Sequence, residues 1–128
     1  MPSRDLRILC VEDDPDTCEL LTVMLGHHGF EAVRVPGVSA ALSLMAKEEF
    51  RLYVLDGQLP GVSGLSLCQE IRSADKATPV VIFSANASES GREAGMRAGA
   101  DAYIFKPDVG AIAPTIRRLL QESWGGSA

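Results

Sequence analysis

Five short apolar runs alternate with longer segments of helical period, and this alternation constrains the fold more than any other feature of the chain. The runs are rich in the branched and aromatic residues that favour β-strands: LRILCV (6–11), FEAVRV (30–35), RLYVLD (51–56), PVVIFSA (79–85) and DAYIFK (101–106). Most are too continuously apolar to leave one face in water, so they predict a sheet covered on both sides. The alternation therefore predicts a doubly wound α/β fold with five parallel strands, five helices and right-handed crossovers.

The helices are predicted from capping residues and from the breaks between them. Asp14 followed by Pro15 is a typical N-cap and first-turn pair, and it predicts a first helix of about three turns that ends near His27. The segment 88–98 contains two glycines, so we expect the fourth helix to be the least rigid. Pro114 interrupts the last apolar segment, and that helix either begins near Pro114 or bends there.

Length and composition predict a single soluble domain. The chain has 128 residues, of which 46% are hydrophobic and 23% charged, as in ordinary packed domains. We expect the folded domain to span 4–123 and a flexible tail to follow over 124–128. No run approaches the ~20 apolar residues that a membrane span needs, so we expect a cytoplasmic protein without membrane contact.

The net charge argues against a nucleic-acid-binding protein, and the cysteines argue against a cysteine-ligated metal site. A net charge of −5 disfavours direct binding to nucleic acid, which requires a surface that neutralises phosphates. The three cysteines have no spacing typical of a metal site, and we expect them to be reduced core residues: Cys10, Cys18 and Cys68.

Polar residues follow the apolar runs at the points where the predicted strands end. In an open α/β sheet the ligand site lies outside the carboxyl ends of the strands. With the strand order 2-1-3-4-5, the ends of strands one, three, four and five converge there and bring together Glu12, Asp13, Asp14, Asp56, Ser84 and Lys106. The sequence therefore predicts an acidic crevice with one lysine and one hydroxyl group.

Such a crevice is suited to phosphoryl chemistry. Neighbouring carboxylates either raise one another's pKa or bind a hard cation, and an all-oxygen ligand set favours Mg²⁺. The Asp56 carboxylate can then act as a nucleophile toward phosphorus. Lys106 and Ser84 supply a positive charge and a donor to the phosphoryl oxygens.

Four sequence blocks in this order resemble a known family. VEDD (11–14), LDGQLPGVSG (55–64), VIFSA (81–85) and GADAYIFKP (99–107) are similar to the signature blocks of the receiver domains of two-component response regulators. The similarity extends from about Leu6 to Leu120. It implies a flavodoxin-like (βα)₅ fold and a phosphoacceptor signalling switch that is phosphorylated by a histidine kinase or a histidine phosphotransfer protein.

The resemblance also implies a role for each residue of the crevice. Asp56 would be the phosphoacceptor, Lys106 the phosphoryl-binding lysine, and Ser84 and Tyr103 the switch residues. Magnesium would be bound directly by Asp13 and Asp56, by the backbone carbonyl of Gln58, and mostly through water by Glu12. The Lys106–Pro107 peptide bond would be cis. An output domain or a second copy would bind through helix 4, strand 5 and helix 5, although Asp108 and Pro114 depart from the family pattern near that surface.

Two amides border the expected path of the water that hydrolyses the acyl phosphate. Gln58 and Asn86 stand two positions after Asp56 and Ser84, and their side chains can position a water without acting as a base. The alternative is that both are exposed loop residues with no role in hydrolysis.

Alternatives remain at the level of single residues and of the whole function. Asp14 fits a helix cap better than a metal ligand, and Tyr103 could be only a packing residue. A phosphorylation-independent interaction module would usually have an incomplete crevice. An aspartyl-phosphate phosphohydrolase needs a second Asp two residues after the nucleophile, where this chain has Gln58. We therefore expect a protein that catalyses only its own phosphorylation and dephosphorylation.

Overall fold

All five apolar runs form parallel strands of one sheet in a computed structural model, which describes residues 6–59 and 62–125. The strands are β1 (Arg7–Val11), β2 (Glu31–Val35), β3 (Leu52–Asp56), β4 (Val80–Ser84) and β5 (Ala102–Phe105). Their order across the sheet is β2-β1-β3-β4-β5. Leu9 pairs with Val33 on one side and with Tyr53 on the other, so β1 lies inside the sheet. The predicted strand order is confirmed.

Five helices connect the strands: α1 (Pro15–His27), α2 (Val38–Met45), α3 (Gly64–Ala74), α4 (Glu89–Arg97) and α5 (Ile112–Gly125). Asp14 caps α1, because its Oδ2 accepts a hydrogen bond of 3.0 Å from the backbone N–H of Thr17. A short 3₁₀ turn over Val109–Ala111 precedes α5. Pro114 therefore lies in the first turn of α5, where its missing N–H removes no intrahelical hydrogen bond. Of the two alternatives for Pro114, the start of a helix is confirmed.

Apolar side chains pack on both faces of the sheet. On one face Leu9, Leu55 and Ile82 contact the α2 and α3 side, and on the other Ile8 and Phe83 contact the α1 and α5 side. All three cysteines are buried and free, and burial raises the pKa of Cys10 to about 12. They are the reduced core residues that the sequence predicts.

α4 is the exception to this packing, because its one buried residue is Gly95. A helix that buries no large side chain has little hydrophobic attachment to the sheet. The position of α4 therefore depends on the residues around Gly95.

A clamp around Arg72 fixes the end of the sheet opposite the acidic crevice. Its guanidinium group donates to the carbonyl oxygens of Gly99 at 2.8 Å and Thr78 at 2.7 Å, and it pairs with Asp101. The Asp101 carboxylate also accepts from the backbone N–H of Val80 at 2.8 Å. Gly99 has a φ of +115°, which favours glycine over other residues. The clamp thus joins α3 to the starts of β4 and β5.

Two details complete the fold. Gln58–Leu59 and Val62–Ser63 form a short antiparallel ladder after β3. α5 includes Trp124 and Gly125, two of the five residues of the expected tail, while 126–128 lie outside the described residues. Within the described ranges, no helix has the length and apolar character needed to cross a membrane.

Candidate functional site

Three carboxylates converge at the carboxyl end of the sheet. Glu12 and Asp13 follow β1, and Asp56 is the last residue of β3. One oxygen atom from each of the three lies within 4.8 Å of the others. Glu12 and Asp56 are buried whereas Asp13 is exposed, so the cluster is open to solvent on the Asp13 side.

Lys106 places one positive charge between the two buried carboxylates. Its Nζ lies 3.2 Å from Glu12 Oε1 and 3.3 Å from Asp56 Oδ1. The backbone N–H of Lys106 donates to the carbonyl of Ser84 at 2.8 Å, which extends the β4–β5 pairing by one residue. The sheet itself therefore positions the lysine over the acidic cluster.

The burial of like charges changes the protonation of the cluster. Burial, followed by the hydrogen bond to Asp56, raises the pKa of Glu12 to about 7. Burial would lower the pKa of Lys106, but the Asp56 and Glu12 carboxylates outweigh it and raise the pKa above its ordinary value. Lys106 thus stays charged, and Glu12 retains its proton more readily than an ordinary glutamate.

The backbone after β3 turns tightly around Asp56. The backbone N–H of Gln58 donates to Asp56 Oδ1 at 3.0 Å, and the N–H of Gly64 donates to the carbonyl of Gly57 at 3.1 Å. A Cβ at position 64 would overlap the carbonyl oxygen of Asp56. This turn requires glycine at position 64, and it fixes the carboxylate of Asp56.

Ser84 lies against the same turn. Its side chain is buried, and its Oγ accepts from the backbone N–H of Asn86 at 3.1 Å. A Cβ at Gly57 would lie only 2.5 Å from the Ser84 Oγ. Gly57 therefore provides the space in which the hydroxyl of Ser84 lies.

Tyr103 contacts the loop that follows Ser84. The half-buried Tyr103 donates its hydroxyl hydrogen to the carbonyl of Asn86 at 2.7 Å. The side-chain Oδ1 of Asn86 accepts from the backbone N–H of Ser88 at 2.9 Å. The amide of Asn86 is thus bonded within its own loop, whereas the side chain of Gln58 is exposed beside Asp56.

Two expectations about neighbouring residues have clear outcomes. Asp14 is exposed and accepts from both the N–H and the hydroxyl of Thr17, and these bonds lower its pKa. It is a helix cap and not a member of the acidic cluster. The expectation of a cis Lys106–Pro107 bond is wrong, because the peptide is trans in a turn closed by a 2.8 Å bond from Asp108 N–H to Phe105 O.

The family model described as the response regulator receiver domain matches residues 8–117. Among curated proteins, the DNA-binding response regulator MtrA of Mycolicibacterium smegmatis is 37% identical over 101 residues, which cover 79% of this chain and 44% of that protein. MtrA of Mycobacterium leprae is 36% identical with the same coverage. The chain thus spans less than half the length of these relatives. Because they are named as DNA-binding, the expected exclusion of nucleic acid is not supported for a longer protein.

Solved receiver domains have the same fold. The beryllofluoride-activated N-terminal receiver domain of RstA from Klebsiella pneumoniae aligns with a TM-score of 0.84 at 30% identity, covering 90% of this chain and 98% of that one. TrrA from Thermotoga maritima, solved with Mg²⁺ and beryllofluoride, aligns with a TM-score of 0.77 at 29% identity over 88% of this chain and 97% of that one. A CheY-like receiver domain from Methanospirillum hungatei reaches a TM-score of 0.87 at 26% identity, covering 94% and 97%.

Proposed function

The chain belongs to the response regulator receiver domain family, and we propose that it is a phosphoacceptor switch in a two-component phosphorelay. Asp56 takes a phosphoryl group from the phosphohistidine of a histidine kinase or a histidine phosphotransfer protein. The domain catalyses its own phosphorylation and dephosphorylation and turns over no separate substrate.

One observation carries this proposal. The buried carboxylate of Asp56 lies beside a second buried carboxylate, and a single lysine contacts both at 3.2 and 3.3 Å. A purely structural ion pair needs only one carboxylate for one lysine. The surplus negative charge and the open Asp13 side suit a site that accepts a cation and a phosphoryl group.

The proposed reaction is an in-line transfer of the phosphoryl group. An oxygen of Asp56 forms a bond to phosphorus as the P–N bond to the donor imidazole breaks. The electron pair of the P–N bond goes to the imidazole nitrogen, which takes up a proton from solvent. Lys106 and the Ser84 hydroxyl donate to the phosphoryl oxygens and stabilise their charge.

The donor set fits Mg²⁺. Glu12, Asp13 and Asp56 offer only oxygen atoms, which lie within 4.8 Å of one another. Buried Glu12 Oε1 pairs with Lys106 Nζ at 3.2 Å but accepts no well-aligned hydrogen bond from the described residues. These side chains and the backbone carbonyl of Gln58 would hold the ion, with Glu12 mostly acting through water. When bound, Mg²⁺ neutralises carboxylate charge that would otherwise repel the phosphoryl donor.

The partners and the context belong to the same proposal. A kinase or phosphotransfer protein supplies the phosphoryl group, and an output domain or second copy binds through α4, β5 and α5. The receiver unit extends over 4–123 and works in the cytoplasm. A net charge of −5 disfavours DNA binding by the receiver unit itself, and an output domain in a longer protein would provide it, in keeping with the DNA-binding relatives.

Mass spectrometry of the intact protein after incubation with Mg²⁺ and acetyl phosphate tests the proposal. We expect a gain of one phosphoryl group per chain that is absent in Asp56→Asn. Asp108→Asn is the matched control, because Asp108 is an exposed aspartate outside the acidic cluster, and it should be phosphorylated as wild type. Absence of any gain would favour the interaction module. Steady release of phosphate with turnover would favour a phosphohydrolase.

A further inference from the structure

Two glycines of α4 leave space that neighbouring side chains occupy. A Cβ at Gly95 would lie 2.9 Å from Cδ2 of Tyr103 and 3.2 Å from Cδ1 of Ile82. A Cβ at Gly91 would lie 2.5 Å from Nδ2 of Asn86. Residues four apart lie on one face of a helix, so Gly91 and Gly95 form one continuous surface, which we call the glycine seat.

Asn86 and Tyr103, which both lie against the glycine seat, are hydrogen-bonded to each other. The hydroxyl of Tyr103 donates to the carbonyl oxygen of Asn86 at 2.7 Å. The backbone N–H of Asn86 in turn donates to the hydroxyl oxygen of Ser84 at 3.1 Å. A displacement of the Tyr103 ring would therefore disturb its hydrogen bond to Asn86, and a movement of Asn86 would in turn disturb the hydrogen bond to Ser84.

The composition of α4 makes these glycines informative. Glycine is the poorest helix former apart from proline, and α4 has two within nine residues. Gly95 is also the residue through which α4 is buried. The helix thus gives up intrinsic stability at the two positions where a methyl group would collide with Asn86 or Tyr103.

We propose that Gly91 and Gly95 are positioning residues: their missing side chains let the Asn86–Tyr103 pair lie inward against α4. A methyl group at position 95 forces either the ring of Tyr103 outward or α4 away from the sheet. Either movement weakens the bond from Tyr103 to the carbonyl of Asn86 and loosens the loop after Ser84. The consequence for signalling depends on the switch roles proposed for Ser84 and Tyr103, but the seat itself is testable without phosphorylation.

The experiment compares wild type, Gly95→Ala and the control Gly26→Ala by NMR with ¹³C-labelled tyrosine rings. The chain has two tyrosines, and Tyr53, buried on β3, serves as the internal reference. We expect Gly95→Ala to shift the ring signals of Tyr103 and leave those of Tyr53 in place. Gly26→Ala adds the same methyl group to α1, where nothing lies within 4 Å of the new Cβ, and should shift neither.

Hydrogen exchange of backbone amides reports on Asn86 and the loop around it. In Gly95→Ala, exchange at the N–H groups of Asn86 and Ser88 should become about fivefold faster, the factor that corresponds to the loss of one hydrogen bond. Gly91→Ala should accelerate the same amides by direct collision with Asn86. Exchange in Gly26→Ala should equal wild type.

The removal of the ring distinguishes a positioning role from a general loss of stability. In a Tyr103→Ala background the substitution Gly95→Ala should change exchange at Ser88 far less, because the ring is gone and, of the three closest contacts of the new Cβ, only the 3.2 Å contact with the flexible end of Ile82 remains. An effect of undiminished size without the ring, or unchanged Tyr103 signals in Gly95→Ala, would overturn the proposal. If Gly95→Ala does not fold, the double variant should fold. Failure of both would also overturn it. A normal phosphorylation assay beside any of these failures would leave the proposed function standing.

Discussion

The metal-free domain should lose stability as the pH rises, because Glu12 retains a proton more strongly in the folded protein than in the unfolded chain. Burial and the hydrogen bond to Asp56 raise the pKa of Glu12 from its ordinary value of 4.5 to about 7. A group with a raised folded-state pKa stabilises the protein fully below its unfolded pKa, and this contribution is lost as the pH rises through the folded value. The expected window is therefore between about pH 4.5 and 7.

The size of the effect follows from the same two values. The difference between 4.5 and about 7, at about 1.4 kcal/mol per pH unit, sets an upper value of about 3 to 4 kcal/mol. The side chain of Glu12 is 2% exposed, so screening by solvent is small. We expect the free energy of unfolding to fall by about 2 to 3 kcal/mol from the acid to the alkaline side of the window.

Urea denaturation in the presence of a chelator, at several pH values across the window, measures this change. Glu12→Gln retains the shape of the side chain but cannot titrate, so its pH dependence should be flatter than that of wild type by this amount. Glu122→Gln is the control, since Glu122 is exposed on α5 and contacts Arg118, and it should follow wild type. Parallel curves for wild type and Glu12→Gln would refute the reasoning.

Three further predictions concern the metal, the lifetime of the phosphoryl group and the output surface. Asp13→Asn should abolish phosphorylation by acetyl phosphate while leaving the free energy of unfolding unchanged or raised, since it relieves repulsion; a normal rate of phosphorylation would contradict the metal assignment. Gln58→Met should slow the decay of phosphorylated protein about tenfold, or about 1.4 kcal/mol of barrier, with little change in the rate of phosphorylation. Asn86→Ala should have a smaller effect, because its side chain is already bonded within the loop, and equal lifetimes in all proteins would show that neither amide positions the water. Beryllofluoride should change hydrogen exchange far more in 86–105 than in 30–50, and equal or absent changes would count against transmission through α4 and β5.

Strand order and the convergence of the charged residues could be predicted because both depend on local signals. An apolar run ends where a polar residue follows it, and in a parallel sheet all such ends lie on one edge. Glu12, Asp56 and Lys106 are therefore brought together by topology, whatever their separation along the chain. The cap at Asp14 depends only on the three residues that follow it, and it was equally predictable.

Contacts between remote segments could not be predicted in this way. The bonds from Arg72 to the carbonyls of Gly99 and Thr78 depend on the approach of three connections at one end of the sheet. The sequence indicates only that the glycines in 88–98 lower the rigidity of a helix, yet Gly95 leaves space for the ring of Tyr103, and Gly57 leaves space for Ser84. The peptide geometry at Lys106–Pro107 was inferred from resemblance alone, and there the inference was wrong.

Chemical trapping at the acceptor residue tests the central claim most directly. Borohydride reduces an aspartyl phosphate to homoserine, so treatment of the protein after incubation with Mg²⁺ and a phosphohistidine donor labels the acceptor permanently. Peptide sequencing by mass spectrometry should find homoserine at position 56 alone, and only when the donor and Mg²⁺ are both present. Homoserine at Asp13 or elsewhere, or none after full incubation, would contradict the assignment of Asp56 as the phosphoacceptor.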